Sequence, residues 1–227
     1  MKRWTGSAIF LAIVAVMLPL RGAEGFPIGL SIHGGLGKGY YSMEELNNNI
    51  NELRLDLGAN MSDLSNGINI MLQGRVWLYN RFGMTATYEH FWGETEITSA
   101  ENPIVFKAPA DVYSIGGILK VIELPMIIDL NVGVSKSFAS SIYGTNQDFS
   151  RSLDEFKGDD DGYELFVEAM TNFVKPLQFG LMLGYRGIKV QEFEDRYGDI
   201  AYLEPSHVVM EVDYSGVFFY FTAGIGL

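Results

Sequence analysis

The 227-residue sequence predicts an all-β fold, a closed, eight-stranded antiparallel up-and-down barrel. Three observations carry that prediction. Eight stretches alternate with a two-residue period, as a strand with two unlike faces must. The connections alternate between tight turns and long polar segments. One face of every stretch is free of charge along its middle. The 26 glycines, 15 phenylalanines and 12 tyrosines supply turn and strand chemistry. With no cysteine, an exported domain has no disulfide framework and must be stabilised by its own packing.

Residues 1–25 come before the strands. Met1-Lys2-Arg3, an apolar run from Ala8 to Leu20 and a close on Ala23-Glu24-Gly25 are the three parts of a secretory signal. The run is too short to cross a bilayer as a helix. The domains are therefore a signal peptide, 1–25, and a barrel, 26–227. Removing the signal takes three of 16 basic and one of 28 acidic residues, so the formal charge moves from −12 to −14. Nucleic acid, whose phosphates need a basic surface, is excluded as a partner.

The first strand, from Phe26, sets Ile28, Leu30, Ile32 and Leu36 against Gly29, Ser31, His33, Gly35 and Gly37. The second, from Gly67, sets Ile68, Ile70, Leu72, Val76 and Leu78 against Asn69, Met71, Gln73, Arg75 and Trp77. From Gly83, Met84, Ala86, Tyr88 and Trp92 oppose Thr85, Thr87, Glu89 and Phe91. Tyr113, Ile115, Leu119 and Val121 then oppose Ser114, Gly116, Ile118 and Lys120. The fifth opposes Met126, Ile128, Leu130, Val132 and Val134 to Ile127, Asp129, Asn131, Gly133 and Ser135. In the sixth, Tyr163, Leu165, Val167 and Phe173 face away from Glu164, Phe166, Glu168 and Asn172. In the seventh, Leu177, Phe179, Leu181, Leu183 and Tyr185 face away from Gln178, Gly180, Met182, Gly184 and Arg186. The eighth, Ser215 to Leu227, pairs an apolar row (Val217, Phe219, Phe221, Ala223, Ile225, Leu227) with Gly216, Phe218, Tyr220, Thr222, Gly224 and Gly226.

Asn80-Arg81-Phe82, Ile122 to Pro125 and Val174-Lys175-Pro176 read as tight turns. Lys38 to Asn66, Gly93 to Ala110, Ala139 to Asp161 and Gln191 to Glu211 read as long acidic loops. Short turns at one end and long loops at the other mark a transmembrane barrel of the outer-membrane kind. A soluble calyx would turn its charges outward. Here the mid-strand charges Arg75, Glu89, Lys120, Asp129, Glu164, Glu168 and Arg186 all share the mixed face, so the apolar face meets lipid. On these features the chain resembles the small eight-stranded outer-membrane barrels of the OmpA/OmpX/OmpW type, over the whole of 26–227. It keeps their closing spacing with Ala223, Ile225 and Leu227, and ends on Leu where they usually end on an aromatic. The resemblance implies a porin-like β-barrel in the outer membrane of a Gram-negative bacterium. It also implies outer-membrane lipids and lipopolysaccharide around it, insertion by the barrel-assembly machinery, and a monomer.

The seven inward charges form a lumen network: Glu164 opposite Arg186, Lys120 near Asp129, Arg75 near Glu89. Pairing neutralises charge in a narrow interior; a gate that swaps partners to admit ions is the sharper reading. Inward glycines among Trp77, Phe91, Phe166, Met170, Met182, Phe218 and Tyr220 read as small-against-large packing, or as the walls of a pocket for a small apolar ligand. In the first loop, Ser42-Met43-Glu44-Glu45 is a capping box, and Met43, Leu46, Ile50, Leu53 and Leu57 follow at helical steps toward Gly58. A short amphipathic helix from Met43 to about Asp56 is expected. Its apolar stripe packs at the barrel mouth, among the loops or at the membrane interface.

Three histidines, His33, His90 and His207, are weighed for chemistry. His33 shares a face with Ser31 but has no acid near it in sequence, and His90 lies on the apolar face with no serine in its own hairpin. The run Asp154 to Gly162, D-E-F-K-G-D-D-D-G, reads as a solvated loop tip, or as a loose bridge to lipid phosphates through divalent cations; it lacks EF-hand spacing. No catalytic, cofactor or metal residues are assigned. The leading function is a structural or surface-interaction role without catalysis. Binding or passage of small hydrophobic molecules or ions through the lumen comes second, and a lipid-modifying enzyme third.

Overall fold

The computed structural model describes residues 28–44, 46–48, 51, 64, 66–79, 81–97, 104–124, 127–145, 154–171, 176–195, 197–203 and 208–226. The predicted signal peptide, Ile50, Leu53, Leu57, Met126, Asn172, Phe173, His207 and Leu227 lie outside them. Eight strands make the barrel: β1 (Ile28–Tyr41), β2 (Asn66–Leu78), β3 (Phe82–Trp92), β4 (Ala110–Leu124), β5 (Ile128–Thr145), β6 (Asp154–Thr171), β7 (Leu177–Val190) and β8 (Gly216–Gly226). Each pairs antiparallel with the next, and β8 pairs with β1 to close the sheet. All eight predicted strands are present.

The registers fix the barrel's shape. From Ser31 the paired residues run Arg75, Thr85, Gly116, Ser135, Glu164, Arg186 and Gly216, and return to β1 at Tyr41. The circuit comes back ten residues further along the strand (41 − 31), which is the shear. Eight strands at shear ten, with strand spacings of about 4.8 Å and rises of about 3.3 Å, give a tilt of about 40° and a backbone radius of about 8 Å. Such an interior is one that side chains fill.

Side-chain direction follows the alternation. On β8, Phe221 is 64% exposed and Tyr220 is fully buried. On β2 the outward row from Ile68 to Leu78 is apolar throughout; its ten steps, tilted, cover about 25 Å, the height of a lipid-facing belt. Outward Tyr40, Trp92, Tyr163 and Tyr185 ring its loop end, and Tyr79 and Phe82 its turn end. A bulge at Val121 adds one residue to β4 near the turns.

Strand extends into the expected loops, and in the second Glu94–Ile97 pairs with Ile104–Lys107. β1 continues through Lys38 to Tyr41, and β5 and β6 continue to Thr145 and back from Asp154. The run from Asp154 to Gly162 is therefore not a loop tip: it pairs residue by residue with Ser137 to Thr145. Charge does not forbid strand there, because the hairpin has risen beyond the belt into water. Most of its inward positions are apolar or small, with Phe156 against Tyr143 and Gly158 against Val190 and Phe193; half-buried Asp160, opposite Ala139, is a charged exception. Asp159 and Asp161 point out, the latter pairing with Lys136.

Of the loop-one helix, residues 44, 46–48 and 51 are described and helical, and the Asn47 amide donates to the Met43 carbonyl at 2.9 Å. Met43 itself stands just before the helix with φ 40°, so the helix starts one residue later than predicted. Its amide donates to the Asp213 carbonyl, and both Met43 and Leu46 are buried. Of the three places offered to the apolar stripe, its described part takes the barrel mouth.

Candidate functional site

The lumen is stratified. At the turn end Lys120 Nζ meets Asp129 Oδ2 at 2.9 Å and Glu123 Oε1 at 3.6 Å, with the Trp77 ring centroid 5.7 Å away. Above it lies the first fully buried ionic layer. Arg75 forks onto Glu168 through two bonds of 2.7 Å, and its Nε donates to Gln73 at 2.6 Å. Gln73 donates in turn to Thr87 (2.9 Å), and Asn131 donates to Glu168 (3.1 Å). A two-point contact of this kind restricts both side chains, because the guanidinium fork and the carboxylate match in plane and spacing.

An apolar layer of Met71, Phe166 and Met182 comes next, continued downward beside the arginine by Ile118 and Trp77. Glycines make room for it: a Cβ on Gly133 would run into the Phe166 ring, and one on Gly184 into the Phe218 ring. Small-against-large packing thus occupies the interior at this height.

The second ionic layer is centred on Arg186, which bonds Glu89 and lies 3.1 Å from Glu164 Oε1. Tyr220 donates to Glu89 at 2.6 Å and Ser114 to Glu164 at 3.2 Å. The guanidinium carbon sits 4.2 Å from the Phe91 ring centroid and 4.6 Å from that of Phe218, a cation held between two aromatic faces. Two carboxylates here share one guanidinium, whereas Arg75 and Glu168 balance.

A second apolar core then closes the loop end, built from Tyr41, Phe91, Phe106, Tyr143, Phe193 and Tyr214 with Met43, just before the helix, and Leu46 on it. Tyr214 donates to the Ala108 carbonyl at 3.0 Å and lies 2.6 Å from Ser141 Oγ. Burial holds its phenol above the usual range, against the opposing pull of that Ser141 bond.

All seven predicted charges face inward, and Glu164 pairs with Arg186 in register, as the turn count expects. Lys120 also meets Asp129. The expected Arg75–Glu89 pair does not form. Thr85 stands opposite Arg75, and Glu89 is four residues higher, opposite Met71. Each arginine instead reaches across the lumen to a strand that is not its neighbour, Arg75 to β6 and Arg186 to β3. The predicted charges missed their neutral partners Gln73, Asn131, Ser114 and Tyr220, whose inward parity was the available signal. The aromatic clamp on Arg186 and the loop-end core had none short of the fold.

The histidines are placed as follows. His33 Nε2 lies 2.9 Å from Ser31 Oγ, both buried in the lumen, and among the described residues His33 Nδ1 has no hydrogen-bond partner and no acid orients the pair. His90 faces outward beside Trp92 and contacts Asp111 of β4 at 2.8 Å; Tyr88 donates to the same carboxylate oxygen. Among the described residues no three His, Asp or Glu side chains are grouped to hold a metal ion.

No family model matches the chain, and no curated protein matches it in sequence. Solved structures do. The outer membrane protein OprG from Pseudomonas aeruginosa is 9% identical at a TM-score of 0.55, over 88% of this chain and 95% of its own. Ail, the attachment invasion locus protein of Yersinia pestis, solved with the heparin analogue sucrose octasulfate, is 10% identical at 0.51, over 88% and 99%. A major outer membrane protein from Thermus thermophilus is 9% identical at 0.50, over 88% and 99%. The fold is that of the small outer-membrane barrels. At such identity the likeness is one of architecture. The lumen strata of this outer-membrane-type barrel are a property of its own side chains.

Proposed function

We propose that the protein is a monomeric, integral outer-membrane barrel, exported by its signal segment and surrounded by outer-membrane lipids and lipopolysaccharide. In this reading the lumen is a structural core. The role is exercised at the membrane and the loop-end surface without catalysis. The observation that carries this is that buried side chains, ionic and apolar by turns, face the lumen from the turn end to the loop end. Two ionic layers alternate with two apolar ones, and the last of these roofs the barrel. A conduit would need a polar path past Met71, Phe166 and Met182 and then past the roof, and a pocket for an apolar ligand would need wall surface that those side chains already cover. The belt height and aromatic edges support the membrane placement, and a closed barrel leaves no backbone edge in hydrocarbon.

Planar-bilayer recording on the purified, refolded protein tests it. Wild type is expected to give no discrete conductance at either polarity. Steady single-channel steps that change size in Glu164→Ala would overturn the sealed-lumen reading in favour of an ion path through the second ionic layer.

A further inference from the structure

The described part of the fourth long loop folds as a small antiparallel sheet continuing from the edge of β6. Glu194 pairs through both backbone bonds with Lys157 and bridges to Ile200. Ala201 donates to the Phe193 carbonyl, Met210 donates to the Ala201 carbonyl, and Tyr202 pairs with Val209. The sheet has two unlike faces. Phe193, Ala201 and Met210 are buried in the loop-end core, while Ile200 (44%), Tyr202 (51%) and Val209 (39%) are exposed on the other side, beside Tyr197 (74%) in the adjoining turn. Exposed Glu192, Glu194 and Asp199 border them. This exposed apolar, aromatic face stands outside the belt.

Height and charge decide what covers it. Lys157 lies six residues beyond Tyr163 of the aromatic edge, about 15 Å further along the barrel axis, so acyl chains do not reach the sheet. The four segments Lys38–Asn66, Gly93–Ala110, Ala139–Asp161 and Gln191–Glu211 hold twenty acidic and six basic residues. That is a formal −14, equal to the whole charge of the chain from Phe26 on. The rest of that chain is balanced. All of the net charge is at the outer end, which disfavours a second copy of the chain and any sulfated or phosphorylated polymer.

We propose that this outer sheet face is a docking surface for a basic polypeptide, one whose Arg or Lys side chains lie on Tyr202 and Tyr197 while Glu192, Glu194 and Asp199 pair with them at the rim. The proposal rests on the surface-interaction reading above and names its partner class.

The test titrates a fluorescent Arg- and Lys-rich peptide onto full-length protein refolded in a zwitterionic detergent, with a sulfated oligosaccharide as the anionic comparison. Saturable peptide binding is expected, weakening as salt rises. Tyr202→Ser and, separately, Ile200→Ser should each cut affinity about tenfold while heat-modifiable migration is kept, since both side chains are exposed; about 1.4 kcal/mol corresponds to that factor. Glu192→Gln with Glu194→Gln should flatten the salt dependence. Peptide binding indifferent to both serine variants would show counter-ion attraction to the loops at large and overturn the docking face, as would tighter binding of the sulfated sugar. A conducting barrel that still bound the peptide at Tyr202 would sink the sealed-lumen reading alone.

Discussion

Arg186→Met removes the cation at the centre of the second ionic layer while keeping much of the arginine's length and apolar stem. Glu89 and Glu164 are then left facing each other between the Phe91 and Phe218 rings, with one hydroxyl donor each, Tyr220 and Ser114. Removing one partner of a buried ion pair costs about 3–5 kcal/mol, because the remaining charge keeps its desolvation penalty and loses its attraction. Two carboxylates are stranded here, so the loss should fall at about 4 kcal/mol or above. At a urea slope of about 2 kcal/mol per molar, the unfolding midpoint drops by about 2 M. The assay is a urea titration in detergent micelles from the folded and unfolded sides, read by tryptophan fluorescence and by the shift between boiled and unboiled migration. Combining Arg186→Met with Glu89→Gln and Glu164→Gln removes the charges together and should recover most of the loss. Arg75→Met strands only Glu168, which keeps Asn131 as a donor, and should cost about 3 kcal/mol. Glu164 and Glu168 are four residues apart on β6, about 10 Å along the axis with an apolar layer between. The two arginine variants should therefore add within about 0.5 kcal/mol. If Arg186→Met costs less than about 1 kcal/mol, or if the triple variant is as damaged as the single, the reasoning from paired charge in a closed lumen fails.

Three other perturbations probe the remaining strata. Gly133→Ala drives a methyl into the Phe166 ring and should cost about 1–3 kcal/mol in the same titration, a loss relieved when Phe166→Leu is added. Leu46→Ala empties a fully buried position in the roof and should cost about 2–5 kcal/mol; protease should then cut the first loop of the folded barrel faster than in wild type. Tyr214→Phe deletes the bonds to Ala108 and Ser141 and should cost about 1 kcal/mol near neutral pH. Because burial raises the folded phenol's pKa, the unfolded chain loses that proton first as pH climbs through about 10. Wild type should lose stability above that pH, and the Phe variant should lack this component of the loss.

Much of the barrel was legible because its two faces obey unlike constraints. Outward residues such as Leu36, Leu183 and Phe221 must be apolar within the belt, and inward ones such as Arg75 and Glu168 may be charged only if paired, so parity alone separates them. Parity fails where the solvent changes. Once β5 and β6 leave the belt, Asp159 and Asp161 can occupy outward strand positions, and a run of acids that signals a loop by composition is part of an eighteen-residue strand. The inward signal survived in that hairpin as Ala139, Ser141 and Tyr143 against Gly158 and Phe156, a fainter pattern that the charges obscured.

The pairing inside the lumen was legible only as far as neighbouring strands determine it. Glu164 with Arg186 follows from a turn count; Arg75 with Glu168 does not, since β2 and β6 are four strands apart and meet only because the interior is narrow. Shear supplies what sequence parity lacks. At ten, a row of paired residues climbs steadily around the barrel, so Glu89 on β3 and Arg186 on β7 arrive at one height although their sequence positions give no hint of it. Arg75 and Glu89, close in sequence and facing the same way, are carried to different heights. Neutralising the interior therefore depends on the closed register. A one-residue slip in any pair of strands would change the shear, expose the apolar roof positions and unpair both arginines at once. The charge strata thus act on register as much as on stability, which is why the double-arginine additivity and the triple-variant recovery are the two measurements that bear most directly on how this barrel specifies its own closure.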